Sequence, residues 1–381
     1  MPAPKPKADF DWLVYDSKKN PGTCRVLVAL LPSWFASKVR LPLSEPSLMQ
    51  FAVNGHVQSV FSIQTGQWST PAFVESPLLS VHGLAPGLNY GQHIFEGLKA
   101  FRRPDDEIAV FRPGDHAARF QRSAAFLEMP EVPKSLFLQC VDLAVRRNAE
   151  YVPPHDVVGG SLYIRPLEFA SSVQIGLDPP DEYTFCVYVQ PHFGLHAVSS
   201  LKALVADDYD RVATRGAGKA KMGGNYACIP KWSRLAKEEG FNLLLHLDSS
   251  TQTKIEEFST SGFVGIRDDG EGSVTALVSD SETVLDSITV DSMALLATSF
   301  GWGVERRSIN FAELATITEA MAAGTASGVL SVSNIYRKAT GERFDLVSGG
   351  PCYARISGAL RRIQRGVEQD RFGWCRVVEM K

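Results

Sequence analysis

Ala220-Lys221-Met222-Gly223-Gly224-Asn225-Tyr226-Ala227 sets a lysine just before a pair of glycines, with a tyrosine five residues beyond it. One predicted β-hairpin later, Ile255-Glu256-Glu257-Phe258-Ser259-Thr260-Ser261 adds a carboxylate on a strand. Only a neutral amine attacks an aldehyde, so a lysine with that task needs desolvation or cationic neighbours. Glycine lets the backbone lie against a flat cofactor ring. Lys219 is the competing lysine, and a solvated loop residue is the ordinary reading of either. Gly216-Ala217-Gly218-Lys219 is not a phosphate loop: the upstream glycine of that pattern falls on Ala213, and Ala220 stands where Ser or Thr is needed.

Working outward, Leu201 to Ala206 reads as a strand, Asn225 to Glu239 as a helix, and Phe241 to Leu247 with Lys254 to Glu257 as a hairpin around Asp248-Ser249-Ser250. Val290 to Ser299 is a helix ended by Gly301, and Glu319 onward leads into Gly324-Thr325-Ala326. Upstream, Phe73-Val74, Leu78-Leu79-Ser80-Val81, Ile108 to Phe111, Ser161 to Arg165 and Tyr183 to Val189 carry β signals. Helices are expected from Pro113-Gly114-Asp115 to Pro130 and from Leu136 to Tyr151. Pro191 to Ser200 carries linker signals, and residues 1 to about 70 read as an arm and surface loops with a few short strands. Strand pairs alternating with helices imply α+β halves rather than a doubly wound parallel sheet.

Composition sets the outer bounds. With 381 residues, 44% hydrophobic and 21% charged, the chain can bury two full cores. A net charge of -3 gives no basic footprint for nucleic acid. The six cysteines form no Cys-x-x-Cys, so neither a zinc cluster nor a redox dithiol is indicated. Met1 to Asn20 mixes Lys5 and Lys7 with Asp9, Asp11 and Asp16 and lacks the apolar core of a secretory signal, and Val26 to Leu31 is too short to cross a bilayer. A cytoplasmic protein without membrane or nucleic-acid partners is expected.

Three further segments complete the pattern: Asn89-Tyr90-Gly91-Gln92-His93-Ile94-Phe95-Glu96-Gly97-Leu98-Lys99-Ala100, the run Phe111 to Phe120, and Tyr163-Ile164-Arg165-Pro166. In this order, from about Gln67 to Ser333, the segments resemble the branched-chain aminotransferase group of fold-type IV pyridoxal phosphate enzymes. The resemblance implies an α+β, two-domain, D-amino acid aminotransferase-like architecture. A smaller N-terminal domain with its arm would take residues 1–193, a linker 194–200, and a larger domain binding pyridoxal 5'-phosphate 201–381. It implies that Lys221 carries the cofactor as a Schiff base, that Tyr226 bonds its phenolic oxygen, and that Glu257 holds the pyridine nitrogen protonated. Arg119 would grip the phosphate, with Arg112 and Arg122 as competitors. Backbone amides of Ile288 and Thr289 would assist at a helix start, together with Thr325. On the substrate side it implies Tyr90 and Phe95 around the side chain, Tyr163 and Arg165 at the carboxylates, and the turn at Thr325 and Ala326. No metal is implied. The activity implied is amino transfer from a branched-chain L-amino acid to 2-oxoglutarate by a ping-pong route, in a homodimer.

The sequence departs from that family at Gly262, where an asparagine is usual, and at Phe258 and Ser259, which replace smaller residues and are expected to crowd the ring. Gly262 motivates a second reading, a D-amino-acid or amine transaminase or a lyase of the same fold. A catalytically idle binding protein is the third.

Overall fold

The computed structural model describes residues 2–7, 12, 53–193 and 201–380. The expected linker at 194–200 and most of the expected arm lie outside the described residues.

The first sheet is built from β1 (His56–Ser62), β2 (Gln67–Trp68), β3 (Ala72–Val74), β4 (His93–Phe95), β5 (Leu98–Arg102), β6 (Ile108–Phe111), β7 (Gly160–Ala170) and β8 (Glu182–Phe193). Its spatial order runs β6-β5-β7-β8-β1-β2, with β3 on β1 and β4 on β7, every pair antiparallel. A short helix, α1 (Pro86–Asn89), precedes β4, while α2 (Pro113–Phe126) and α3 (Lys134–Arg147) cover one face. Alternation along β7 sorts the two faces: Leu162 and Ile164 join Phe120, Phe137 and Phe185 in the core, and Tyr163 and Arg165 stand half-buried on the other side. Pro113 opens α2 at a position where its missing N–H costs nothing. Beyond Phe126 the positive φ of Glu128 and then Pro130 end the run.

Glu168 of β7 is the anomaly of this core. It is fully buried and neither carboxylate oxygen has a hydrogen-bond partner among the described residues. Burial pushes its carboxyl well above the ordinary range. Such a group binds its proton more tightly folded than unfolded, so its favourable share is lost as pH rises through the folded value. Glu168→Leu is therefore expected to raise Tm by a few degrees at about pH 8 and by less at about pH 5, an unsatisfied buried group costing about 1–3 kcal/mol. Calorimetry showing a lower Tm at both would contradict this account.

The second sheet comprises β9 (Leu201–Val205), β10 (Leu243–Leu247), β11 (Lys254–Phe258), β12 (Ser261–Asp268), β13 (Val274–Ser279), β14 (Gly303–Arg307), β15 (Ile309–Asn310), β16 (Glu319–Gly324), β17 (Gly328–Tyr336) and β18 (Arg343–Asp345). The path β12-β16-β17-β9-β10-β11 closes on itself because β11 pairs with β12. Leu245, Phe258, Phe263, Ala320, Ala322 and Val332 share the core of this barrel. Two short helices, α4 (Gly224–Ala227) and α5 (Ile229–Glu238), follow β9, and α6 (Ile288–Ser299) and α7 (Pro351–Gln364) join a separate core with Val264, Ile266 and Met321.

The two halves are stitched together by β19 (Cys375–Val377), which leaves the second unit and pairs antiparallel with β6 of the first sheet. Phe101, Phe111, Leu296, Leu360, Ile363 and Trp374 form one apolar cluster across the junction. Residues 375–377, expected with the second domain, thus complete the first sheet.

Other expectations need correction. The helix predicted from Asn225 to Glu239 is two helices parted at Cys228, because Pro230 has no N–H and its ring crowds the preceding turn. Leu78 to Val81 forms no strand, and Leu78 is exposed, for want of a partner edge. Pro191 to Phe193 belong to β8, not to a loop. The pairing of β1 with β8 stops at Val187, so Pro191 sits where no second neighbour needs its N–H.

Candidate active site

The backbone around Lys221 is fixed from the first domain. The Lys221 N–H donates to Ser123 Oγ at 2.9 Å, its carbonyl accepts from the Phe95 N–H at 3.0 Å, and Met222 bridges to Ile94. Asn225 Nδ2 donates to the carbonyls of Ala217 and Ala220, holding the approach loop. Glycine is needed at 223, where a Cβ would lie 1.9 Å from His93 Nε2. Lys221 Nζ donates to Tyr226 Oη at 2.9 Å and lies 4.6 Å from the ring centre of Phe95. Lys219 is instead a surface residue paired with Glu282 at 3.0 Å.

Glu257 is buried, with the Leu285 N–H donating to Oε1 at 3.1 Å and Arg211 paired to it at 2.8 Å. Burial raises its carboxyl above the usual range, while the charge of Arg211 opposes that rise. Glu256 accepts instead from the Thr283 hydroxyl, and Arg211 also donates to the Thr283 carbonyl. Phe258 points into the barrel core beside Phe263, and Ser259 Oγ meets His246 Nε2 at 2.7 Å. The expected crowding of the ring by these two residues therefore does not arise. At Gly262 a Cβ would lie 2.6 Å from Val290 Cγ2, so the place of the usual asparagine is closed by α6.

Arg119 projects from the buried face of α2. Its Nε donates to Glu96 Oε1 at 2.6 Å, and an η nitrogen donates to the Asp286 carbonyl at 2.8 Å. Burial works against ionisation of Glu96, but Arg119 and His116 outweigh it and hold the carboxyl well below its usual range. Ile288 and Thr289 open α6 behind the Ser287 cap, whose Oγ accepts from the Val290 N–H, so their amides face outward without intrahelical partners. Glu257 and Arg119 thus both grip the segment Leu285–Asp286 that leads into this helix start. Of the competing arginines, Arg122 is exposed and paired with Asp286, and Arg112 is bonded to Asp115 and to Ser292 and Asp291 in the first turns of α6.

On the substrate side the fit is partial. Phe95 packs edge-on against Tyr226 with ring centres 5.1 Å apart. Gly97 admits Tyr163, whose Oη lies 2.1 Å from where a Cβ would stand. Arg165 is already engaged: Nε donates to the Glu96 carbonyl and an η nitrogen to Tyr163 Oη, both at 2.9 Å, over the Phe95 ring. Tyr90, at the end of α1, is 47% exposed and has no described contact with this group. Thr325 and Ala326 form the turn closed by Gly324 and Gly328, and Lys99 Nζ donates to the Ala326 carbonyl at 2.9 Å.

Lys99, Ser123, Arg211 and the role of Glu96 were not anticipated. A lysine in the wholly buried strand Leu98–Arg102 was a usable signal, since burial lowers its ammonium to about 7. Arg211 and Ser123 carried none. A cavity of about 270 Å³ adjoins the α6 start, lined by Arg112, Arg122, Gly262, Asp286, Ser287 and Ile288 among others but not by Lys221 or Glu257. The site is therefore defined by converging side chains rather than by volume.

A lysine beside a phenol, a buried carboxylate, and an arginine facing a helix start fit pyridoxal 5'-phosphate in its aldehyde, ring-nitrogen and phosphate parts. Fold and site together define a fold-type IV pyridoxal phosphate enzyme. The chain belongs to the class IV aminotransferase family, whose model matches residues 93–335. It is 47% identical to the aminotransferase apf4 of Gibberella fujikuroi over all of this chain and 94% of that one. It is 49% identical to the branched-chain amino acid aminotransferase gloG of Glarea lozoyensis over 86% of this chain and 92% of the relative. Among solved structures it is similar to the branched-chain aminotransferase of Thermoproteus uzoniensis with norvaline (TM-score 0.68, 26% identity, 85% of this chain and all of that one). The Escherichia coli branched-chain enzyme shares the fold (TM-score 0.70, 23% identity, 86% of this chain and all of that one). The protein is a pyridoxal phosphate-dependent transaminase.

Proposed function

We propose that the protein moves the amino group of a branched-chain L-amino acid to 2-oxoglutarate by a ping-pong route, as a cytoplasmic homodimer. The observation that carries this reading is the Lys221 amine, held 2.9 Å from the Tyr226 hydroxyl against the apolar face of Phe95. The name of the Glarea lozoyensis relative supports the donor class. When bound, the cofactor draws electrons from the substrate Cα–H bond. Lys221 Nζ is then placed to take that proton and return it, with Tyr226 orienting the amine. Glu257, clamped between Arg211 and the Leu285 amide, holds a proton at the ring nitrogen. Glu96 and the Asp286 carbonyl fix Arg119, whose remaining N–H groups would be available to hold the phosphate.

Lys99 has donors to spare beyond Ala326 and suits a substrate carboxylate. Its ammonium, lowered to about 7 by burial, is charged only below that pH. The KM for 2-oxoglutarate is expected to rise as pH climbs through about 7, and Lys99→Met to raise KM about tenfold and flatten the rise, one charge-assisted hydrogen bond being lost. A KM profile unchanged in the variant would remove Lys99 from carboxylate binding.

The reading is tested by single-turnover conversion of the bound cofactor to its amine form with L-leucine, L-isoleucine, L-valine, D-alanine and a chiral amine. Conversion fastest with the branched L-amino acids is expected. Conversion by D-alanine or the amine alone would replace it with the second reading.

A further inference from the structure

Arg112 lies outside the constellation above, yet it joins three separately folded parts of the chain. Its backbone takes the left-handed conformation, φ 49°, at the entry to α2, where a side chain is tolerated only if its surroundings fix it. The fixing is visible. The Arg112 N–H donates to the Trp374 carbonyl at 2.6 Å, just before β19, and the guanidinium lies over the Trp374 ring. Nε donates to Asp115 in the first turn of α2 at 2.7 Å. One η nitrogen donates to Ser292 Oγ at 2.9 Å and to the Ile288 carbonyl, and pairs with Asp291 at 2.8 Å, all in the first turns of α6.

These are the two helices that bring Arg119 and the Ile288 and Thr289 amides to one place. An anion held between an arginine on one domain and a helix start on the other is bound only as well as the gap between them is set. We infer that Arg112 is a positioning residue for the cofactor phosphate: it locks α2 to α6 at the separation the phosphate requires. Its Nε is engaged by Asp115 on α2 and one η nitrogen by Ser292 and Asp291 on α6, so the side chain ties the two helices to each other. This inference rests on the reading of Arg119 and the α6 start as the phosphate site.

The test compares apoenzyme affinity for pyridoxal 5'-phosphate with that for pyridoxal, which lacks the phosphate, in wild type, Arg112→Lys, Ser292→Ala and Arg119→Lys. Lysine keeps the charge but cannot fork, and Ser292→Ala removes one contact from a chain that keeps Arg112. Arg112→Lys is expected to weaken the phosphate form about tenfold and leave pyridoxal unchanged, with a smaller loss of the same kind in Ser292→Ala. Turnover lost at low cofactor is expected to return in excess cofactor. Equal weakening of both ligands, or a lowered apoenzyme Tm with the phosphate preference intact, would make Arg112 a purely structural brace. If Arg119→Lys also leaves the preference intact, the phosphate reading itself fails. If only Arg119→Lys lowers it, the inference about Arg112 alone fails.

Discussion

Lys221→Ala is expected to lower turnover by about 10⁴-fold, because among the described residues it is the amine held at the Tyr226 hydroxyl, from which the substrate proton would be moved. Lys219, the nearest lysine in sequence, faces solvent and Glu282, so it cannot substitute. The loss should appear in kcat with the cofactor still retained through its phosphate and ring contacts, and borohydride reduction of the wild-type holoenzyme should label the peptide containing Lys221. A variant that keeps more than about a hundredth of wild-type kcat, or a label on another lysine, would overturn the assignment. The fold should survive, since Ser123 and Phe95 hold the backbone of this residue rather than its side chain.

Replacing Glu257 separates chemistry from stability. Glu257→Leu is expected to cut kcat by about 10²-fold or more, because the ring nitrogen loses the carboxylate that keeps it protonated. It should also destabilise the fold by about 3–5 kcal/mol, since Arg211 is left buried without its partner. The double variant Glu257→Leu with Arg211→Met removes both charges, and denaturant unfolding should show most of that stability restored while turnover stays low. Recovery of both together would mean that Glu257 serves only to neutralise Arg211.

Much of the site could be read from local strings. Lys221, Tyr226 and Glu257 occupy short segments whose order in the chain carries their spacing, and Arg119 lies on a helix whose periodicity is plain. What could not be read depends on contacts across long separations. The sequence around Arg211 has no pattern that announces its role, because its partner Glu257 is reached only when the barrel closes through β11 and β12. Ser123 looks like any helix serine until the Lys221 amide arrives from the other domain. Arg165, placed at the carboxylates by the resemblance, is held by the Glu96 carbonyl and the Tyr163 phenol, contacts that only the folded sheet supplies. At Gly262 the sequence shows only a departure from the family asparagine, and the reason is spatial: a Cβ there would meet Val290 on α6. The return of β19 to the first sheet has no local signature at all.

That return has a bearing on how the polypeptide is made. Until residues 375–377 have emerged from the ribosome, β6 presents an open edge of unpaired N–H and C=O groups, and Phe101 and Phe111 lack part of their cover. Domains emerging first ordinarily fold first, but here the earlier one waits for almost the whole of the later one. Nascent chains stalled part-way should therefore be the sticky, chaperone-dependent species.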